Sequence, residues 1–120
     1  MNETTWEKAR ELGRLLSQTD EYQAVQRARE GVDNDRELVG RLNRLAELEE
    51  EAGRAIRRGE APSEAVREEF DRVFSEVQSS ATYQRLVAAQ SNFDRVLGRV
   101  NEEIAKGMEA GARSRIILPS

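Results

Sequence analysis

The sequence contains no cysteine and no histidine among its 120 residues. Without cysteine the chain can form no disulfide, no thiol nucleophile and no cysteine-held metal cluster. Without histidine it also lacks the commonest general base and the commonest zinc ligand. We therefore expect no enzyme, no bound cofactor and no transition metal. The metal chemistry still open is magnesium or manganese held by carboxylates.

Proline, aromatic residues and long apolar runs are also scarce. The chain has 2 prolines and 8 glycines, and aromatic residues make up 5% while charged residues make up 35%. This composition is typical of helical proteins. No apolar run approaches the roughly 20 residues that span a bilayer, and no apolar signal core is seen near residue 1. We expect a cytoplasmic protein with no membrane partner. The net charge of -4 predicts no tight direct binding to nucleic acid.

Amphipathic periodicity predicts an all-α fold, a five-helix bundle. Two helices are long, over about residues 35–58 and 82–110, and three are shorter. We expect a single domain over residues 1–112, followed by a flexible C-terminal tail over residues 113–120. Capping residues predict the helix starts, and Gly59 is predicted to stop the third helix in the left-handed region. These start signals are the box Thr4–Glu7, Ser17 or Thr19, the box Asn34–Glu37, and Pro62 or Ser63.

Two short segments of the chain share one plan. Each has a hydroxyl residue followed three residues later by a tyrosine-glutamine pair: Thr19 before Tyr22-Gln23, and Ser80 before Tyr83-Gln84. Each segment also follows a short apolar helix that ends in serine. The pattern predicts two corners at which a hydroxyl caps the next helix and a tyrosine ring fills the bend.

The last helix carries the longest apolar stripe of the chain. The helix is roughly 39 Å long, which exceeds the length of the short helices that could cover it. We therefore expect part of the stripe between Phe93 and Met108 to remain uncovered within one chain. A two-fold homodimer is the commonest way to cover such a stripe. A polar residue in the seam, Gln90, can set the register of pairing. The candidate interface residues are Gln90, Phe93, Leu97, Val100, Ile104 and Met108.

Two acidic pairs leave an enzymatic alternative open. Glu47-x-x-Glu50 and Glu68-x-x-Asp71 resemble the paired acidic motifs of all-helical nucleotide pyrophosphohydrolases, which hold magnesium between helices. Helical phase places both pairs away from the apolar stripes of their helices. A solvated charged face is therefore favoured over a metal site.

A second alternative is direct RNA binding through arginines near the C-terminus. It requires Arg95, Arg99, Arg113 and Arg115 to form one continuous basic patch. A protein that acts only by binding other proteins needs neither this patch nor inward-facing carboxylates.

Four segments carry a further pattern: Ala9-x-x-Leu12-Gly13-x-x-Leu16, Ser17-x-x-x-Glu21-Tyr22, the leucine helix after residue 35, and the stripe from Tyr83 to Ile104. Together they resemble the YlbF/YmcA family of small bacterial helical regulators. The resemblance implies an all-helical, dimeric, non-enzymatic cytoplasmic protein. Better-studied relatives act as adaptors in complexes that influence RNA processing, competence, sporulation and biofilm formation. Some relatives carry cysteines linked to an iron–sulfur cluster, a property that does not transfer to this chain. The leading hypothesis is an adaptor that self-associates and docks an unidentified protein partner.

Overall fold

The computed structural model describes residues 3–117, and the side chains of residues 3–113. This part of the chain forms five α-helices and contains no strand, which confirms the all-α prediction. The helices are α1 (Glu3–Ser17), α2 (Asp20–Asp33), α3 (Arg36–Arg57), α4 (Glu64–Ser79) and α5 (Ala81–Ile117).

Three of the predicted boundary signals act as expected. The Thr19 side chain caps α2 and the Ser63 side chain caps α4. Each accepts a hydrogen bond from the backbone N–H three residues later, which satisfies a donor that the helix itself leaves unpaired. Gly59 has a φ of 77° just after α3, in the left-handed region that favours glycine.

Two capping residues differ from the prediction. The backbone is already helical at Glu3, so Thr4 lies inside α1 rather than before it. The cap of α3 is Asp35, whose Oδ1 accepts from the backbone N–H of Leu38 at 3.1 Å. Asn34 closes α2 instead, because its backbone N–H donates to the last carbonyls of that helix.

The predicted end of the last helix was also wrong, since α5 continues to Ile117 rather than ending near residue 110. No proline lies between residues 111 and 117, so nothing removes a backbone donor there. Arg113 donates to Glu109 one turn earlier at 2.7 Å, a pairing that supports helix. Helix therefore extends into the segment predicted as a tail, whose residues 118–120 lie outside the described residues.

The helices form two antiparallel pairs, one nested inside the other. α3 and α4 make the inner hairpin, held by Arg41–Glu76 and Arg44–Glu69 ion pairs at 2.9 and 2.7 Å. α2 and α5 make the outer pair. Tyr22 at the start of α2 lies against Phe93, while Gly31 near its end lies close to Thr82 at the start of α5. The inner hairpin therefore lies at one end of the outer pair, and α1 is connected to the opposite end of that pair.

The molecule is elongated and its core is small. Its extents are 71 × 37 × 23 Å and its radius of gyration is 22.1 Å. A compact domain of this length would have a radius of gyration of about 14 Å. Much of the apolar surface therefore remains accessible within one chain. The described residues that are buried are Val25, Leu38, Leu48, Ala55, Val73, Val77 and Ala89.

Candidate interaction site

The first corner turns the chain from α1 into α2. The Thr19 hydroxyl accepts from the backbone N–H of Tyr22 at 3.1 Å. The Gln23 side-chain amide donates back to the carbonyl of Ser17 at 2.8 Å, across the bend. The half-buried ring of Tyr22 packs on Phe93, and its hydroxyl accepts from Gln26 at 2.9 Å. This corner attaches α1 beside the middle of α5.

The second corner, between α4 and α5, repeats the same bonds. The Ser80 hydroxyl accepts from the backbone N–H of Tyr83 at 3.2 Å. The Gln84 amide donates to the carbonyl of Gln78 at 3.0 Å, six residues back along the chain. The predicted pair of hydroxyl-capped corners is thus present in the structure. The glutamine bonds were missed, although the repeated tyrosine-glutamine pair was their signal.

Asp35 joins the second corner to the start of α3. Its carboxylate accepts from the backbone N–H of Leu38 and from the hydroxyl of Thr82. These two bonds, the backbone one first, hold the pKa of Asp35 below its ordinary value. The carboxylate therefore stays ionised and connects α3 to the first turn of α5.

The six candidate interface residues fall into two groups along α5. Gln90, Phe93, Leu97 and Val100 are half-buried. Phe93 packs against Tyr22 of the same chain, and the Gln90 amide donates to Asp94 at 3.1 Å. Ile104 and Met108 are 46% and 67% exposed. The structure leaves the outer part of the predicted interface open, and it gives the inner part intrachain contacts as well.

The outer half of α5 lies free of the rest of the chain. Every residue from 101 to 113 is exposed, and we call this segment the α5 arm. α1 also has no buried residue and leaves the large side chains of Trp6 and Leu15 exposed. In the described part of the chain both elements are amphipathic helices that leave large apolar side chains exposed. Sequence reasoning found the arm but placed α1 in the bundle.

A further apolar surface lies at the free end of the α3–α4 hairpin. This α3–α4 groove has a volume of about 410 Å³. Ile56 on its edge is 63% exposed, and Phe70 stacks on the exposed ring of Phe74 with centroids 5.8 Å apart. Ile56 continues the apolar stripe of α3, yet its side chain is exposed, and the groove was not predicted from the sequence. The residues that line the groove are Leu48, Glu49, Ala52, Gly53, Ile56, Pro62, Val66, Arg67, Phe70 and Asp71.

A family model described as control of competence regulator ComK, YlbF/YmcA, matches residues 5–109. The chain belongs to the YlbF/YmcA family. No curated protein and no solved structure matches it. The family is a regulatory one, and the match spans both corners, the α3–α4 groove and most of the α5 arm. The resemblance noted in the sequence is thereby confirmed.

The acidic pairs of this YlbF/YmcA protein do not assemble into a metal site. Glu47 accepts from Arg44 at 3.0 Å and Glu50 from Arg54 at 3.3 Å. Glu68 and Asp71 on α4 are exposed. Over residues 3–117 the structure contains no group of three or more acidic side chains that could hold a metal ion. The pairs lie on a solvated face, as helical phase predicted.

Arg44 also joins the two helices of the hairpin through Glu69, which is not one of the four motif carboxylates. Its guanidinium donates two hydrogen bonds of 2.7 Å to the two carboxylate oxygens of Glu69. This bidentate geometry holds the pKa of Glu69 below its ordinary value and raises the pKa of Arg44. The pair fixes the register of α3 against α4.

The C-terminal arginines are interleaved with acidic side chains. Arg99 donates to Glu103 at 3.0 Å and Arg113 donates to Glu109 at 2.7 Å. Arg95 donates to Asn92 at 2.8 Å. The charges of Arg99 and Arg113 are therefore partly neutralised within one turn, which weakens the RNA-binding alternative. The side chain of Arg115 lies outside the description. Within residues 3–117 no helix is long and apolar enough to cross a bilayer.

Proposed function

We propose that this YlbF/YmcA protein is a non-enzymatic cytoplasmic adaptor that self-associates and holds a protein partner. The observation that carries the proposal is the exposed apolar surface of the α5 arm and α1. Large contiguous apolar patches are rare on monomers and mark surfaces where proteins associate. The absence of histidine and cysteine supports the non-enzymatic role, because the chain lacks the usual general base and thiol nucleophile.

We assign self-association to the arm end of the molecule and partner docking to the α3–α4 groove at the other end. The groove offers an apolar floor between two helices, with the small residues Ala52 and Gly53 on α3. Small residues let the backbone of a third helix approach closely. An amphipathic helix of the partner would fill it by placing apolar side chains between Ile56 and Phe70, the helix-in-groove mode of recognition.

Quantitative affinity capture with the full chain as bait tests this assignment. The groove variant is Ile56→Glu, at a position exposed enough that the charge is tolerated by the fold. The matched control is Val87→Glu, which places the same charge at an exposed valine of α5 outside the groove. Circular dichroism verifies that all baits have the same helicity.

The proposal predicts a protein retained by the wild type and by Val87→Glu and lost with Ile56→Glu. Retention of the same proteins by all three baits would remove the groove from the proposal. A wild-type bait that retains no protein in stoichiometric amount would count against the adaptor role itself.

A further inference from the structure

A small cavity between α2 and α5 is lined by two arginines, one from each helix. Arg27 of α2 and Arg85 of α5 both contribute to its lining, and its volume is about 300 Å³. The helices lie close together at this point, because a Cβ added at Gly31 would meet the side chain of Thr82 at 3.9 Å. The cavity includes no residue of the α3–α4 groove or of the α5 arm. Its other lining residues are Ala24, Ala28, Gly31, Thr82 and Ala89.

Within the described side chains, neither arginine is paired with an acidic residue. Both are exposed, and among residues 3–113 neither forms an ion pair or a side-chain hydrogen bond. The inner hairpin is arranged differently, since there Arg44 of α3 meets Glu69 of α4. In the outer pair, arginine lines the same cavity as arginine. Two positive charges in one cavity repel each other, and no acidic residue is part of this lining to offset them.

The charge of the lining distinguishes this cavity from others on the described surface. Arg29 and Arg67 likewise form no ion pair within the described side chains, but the cavities that they line contain carboxylates. Arg67 lines the α3–α4 groove together with Glu49, and Arg29 lines another cavity together with Asp94. The carboxylate of Asp35 accepts from a hydroxyl of the cavity lining, but it forms no ion pair with either arginine of that lining. The cavity between α2 and α5 therefore offers two positive charges to an anion from outside the chain.

We propose that Arg27 and Arg85 bind the phosphate group of a small phosphorylated molecule in this cavity. An arginine side chain presents a planar fork of N–H donors that can bond two oxygens of one phosphate group at once. The site is separate from the surfaces assigned to self-association and partner docking, so its test is independent of theirs.

Charge and size favour a small phosphate monoester over a carboxylate or a large ligand. A phosphate monoester carries a charge of about −1.5 to −2 at pH 7, which matches two arginines, whereas a carboxylate matches one. Ligand pockets have volumes of roughly 300–1,000 Å³, so this cavity is at the small end of that range. It has room for the phosphate group and a short attached chain.

Titration followed by amide NMR spectra tests the site, because the backbone amides of Gly31 and Ala89 report on its lining. The probes are inorganic phosphate and glycerol 3-phosphate, and the controls are glycerol and acetate. All solutions have the same ionic strength, since salt alone screens the charges of the arginines. We expect saturable shifts at these amides with both phosphate probes, weaker binding of acetate and no binding of glycerol.

The cavity variants are Arg27→Gln and Arg85→Gln, each of which removes one charged fork. Each should raise the dissociation constant of glycerol 3-phosphate by about tenfold or more, as expected for lost hydrogen bonds between charged groups. The matched control is Arg29→Gln, which makes the same change at an exposed arginine of α2 outside this cavity, and its affinity should stay close to that of the wild type. Circular dichroism verifies that the variants keep their helicity.

Thermal denaturation gives a second readout that needs no assignment of the spectra. At equal ionic strength, glycerol 3-phosphate should raise the melting temperature of the wild type and of Arg29→Gln, because a ligand that binds only the folded state stabilises it. It should not raise the melting temperature of Arg27→Gln combined with Arg85→Gln. A wild type without saturable phosphate binding, equal affinity for acetate and phosphate, or unchanged affinity in both cavity variants would each overturn the proposal.

Discussion

The ring of Tyr22 meets the ring of Phe93 edge to face, with centroids 5.3 Å apart and planes inclined by 67°. This contact joins the first turn of α2 to the middle of α5, where the two helices stop running together. Phe93 therefore lies near the end of the part of α5 that packs on α2, and the fully exposed α5 arm begins two turns later at residue 101. The tyrosine of the first corner thus decides how much of α5 the chain itself covers.

We predict that Tyr22 and Phe93 are energetically coupled. Tyr22→Leu and Phe93→Leu should each lower the free energy of unfolding by roughly 1–2 kcal/mol, since each removes an aromatic ring from a half-buried contact. The loss of unfolding free energy in the double variant should be smaller than the sum of the two single losses. The difference, the coupling free energy, should be about 0.5–1.5 kcal/mol. Urea denaturation of the four proteins measures this cycle, and strictly additive losses would contradict it.

The second corner predicts different costs for two neighbouring serines. Ser80→Ala should lower the free energy of unfolding by about 1 kcal/mol, because it leaves the backbone N–H of Tyr83 without its cap. Ser79→Ala is the matched control and should be close to neutral, since its exposed hydroxyl donates only to the carbonyl of Ser75 in its own helix. Thermal or urea denaturation compares the two variants, and equal stabilities would show that Ser80 does not act as a cap.

These corners illustrate what sequence reasoning could reach. Hydroxyl and tyrosine at fixed spacing locate Thr19 and Ser80 as caps because capping depends on local geometry alone. The box Asn34–Glu37 located the start of α3 but not its cap, since Asn34 and Asp35 are both good caps and the preceding helix also needs an end. Which helix covers α5 was not evident, because several helices carry similar apolar stripes and tertiary packing selects among them.

The Arg44–Glu69 pair predicts a loss of stability in acid. The pKa of Glu69 is lowered in the folded protein by its hydrogen bonds to Arg44. Its contribution is therefore fully present above the ordinary glutamate pKa of 4.5 and is lost as the pH falls through the lower folded value. Glu69→Gln should be less stable than the wild type at pH 7, and the difference should shrink as the pH falls below 4.5.

The control for this titration is Glu68→Gln, which removes a charge from the exposed neighbouring position. Its stability should follow the wild-type pH dependence closely when both are measured by urea denaturation across the acid range. A Glu69→Gln variant whose stability runs parallel to the wild type at every pH would show that the pair does not stabilise the hairpin.

The α3–α4 groove shows where sequence periodicity stops being informative. Ile56 continues the apolar stripe of α3, so its spacing predicts burial. In the antiparallel register set by Arg44 and Glu69, however, the residues opposite Ile56 belong to the connection around Gly59 rather than to α4. Burial therefore depends on where the partner helix begins, a property of the hairpin and not of the stripe.

The central claim, self-association through the α5 arm, is tested most directly by sedimentation equilibrium at micromolar concentration. We predict that the wild type has twice the 13.6 kDa mass of one chain. Ile104→Glu combined with Met108→Glu should sediment as a folded monomer, because both side chains are exposed within one chain and charge there opposes only pairing. A wild type that sediments at the mass of one chain, or a charged variant that remains a dimer, would contradict the account.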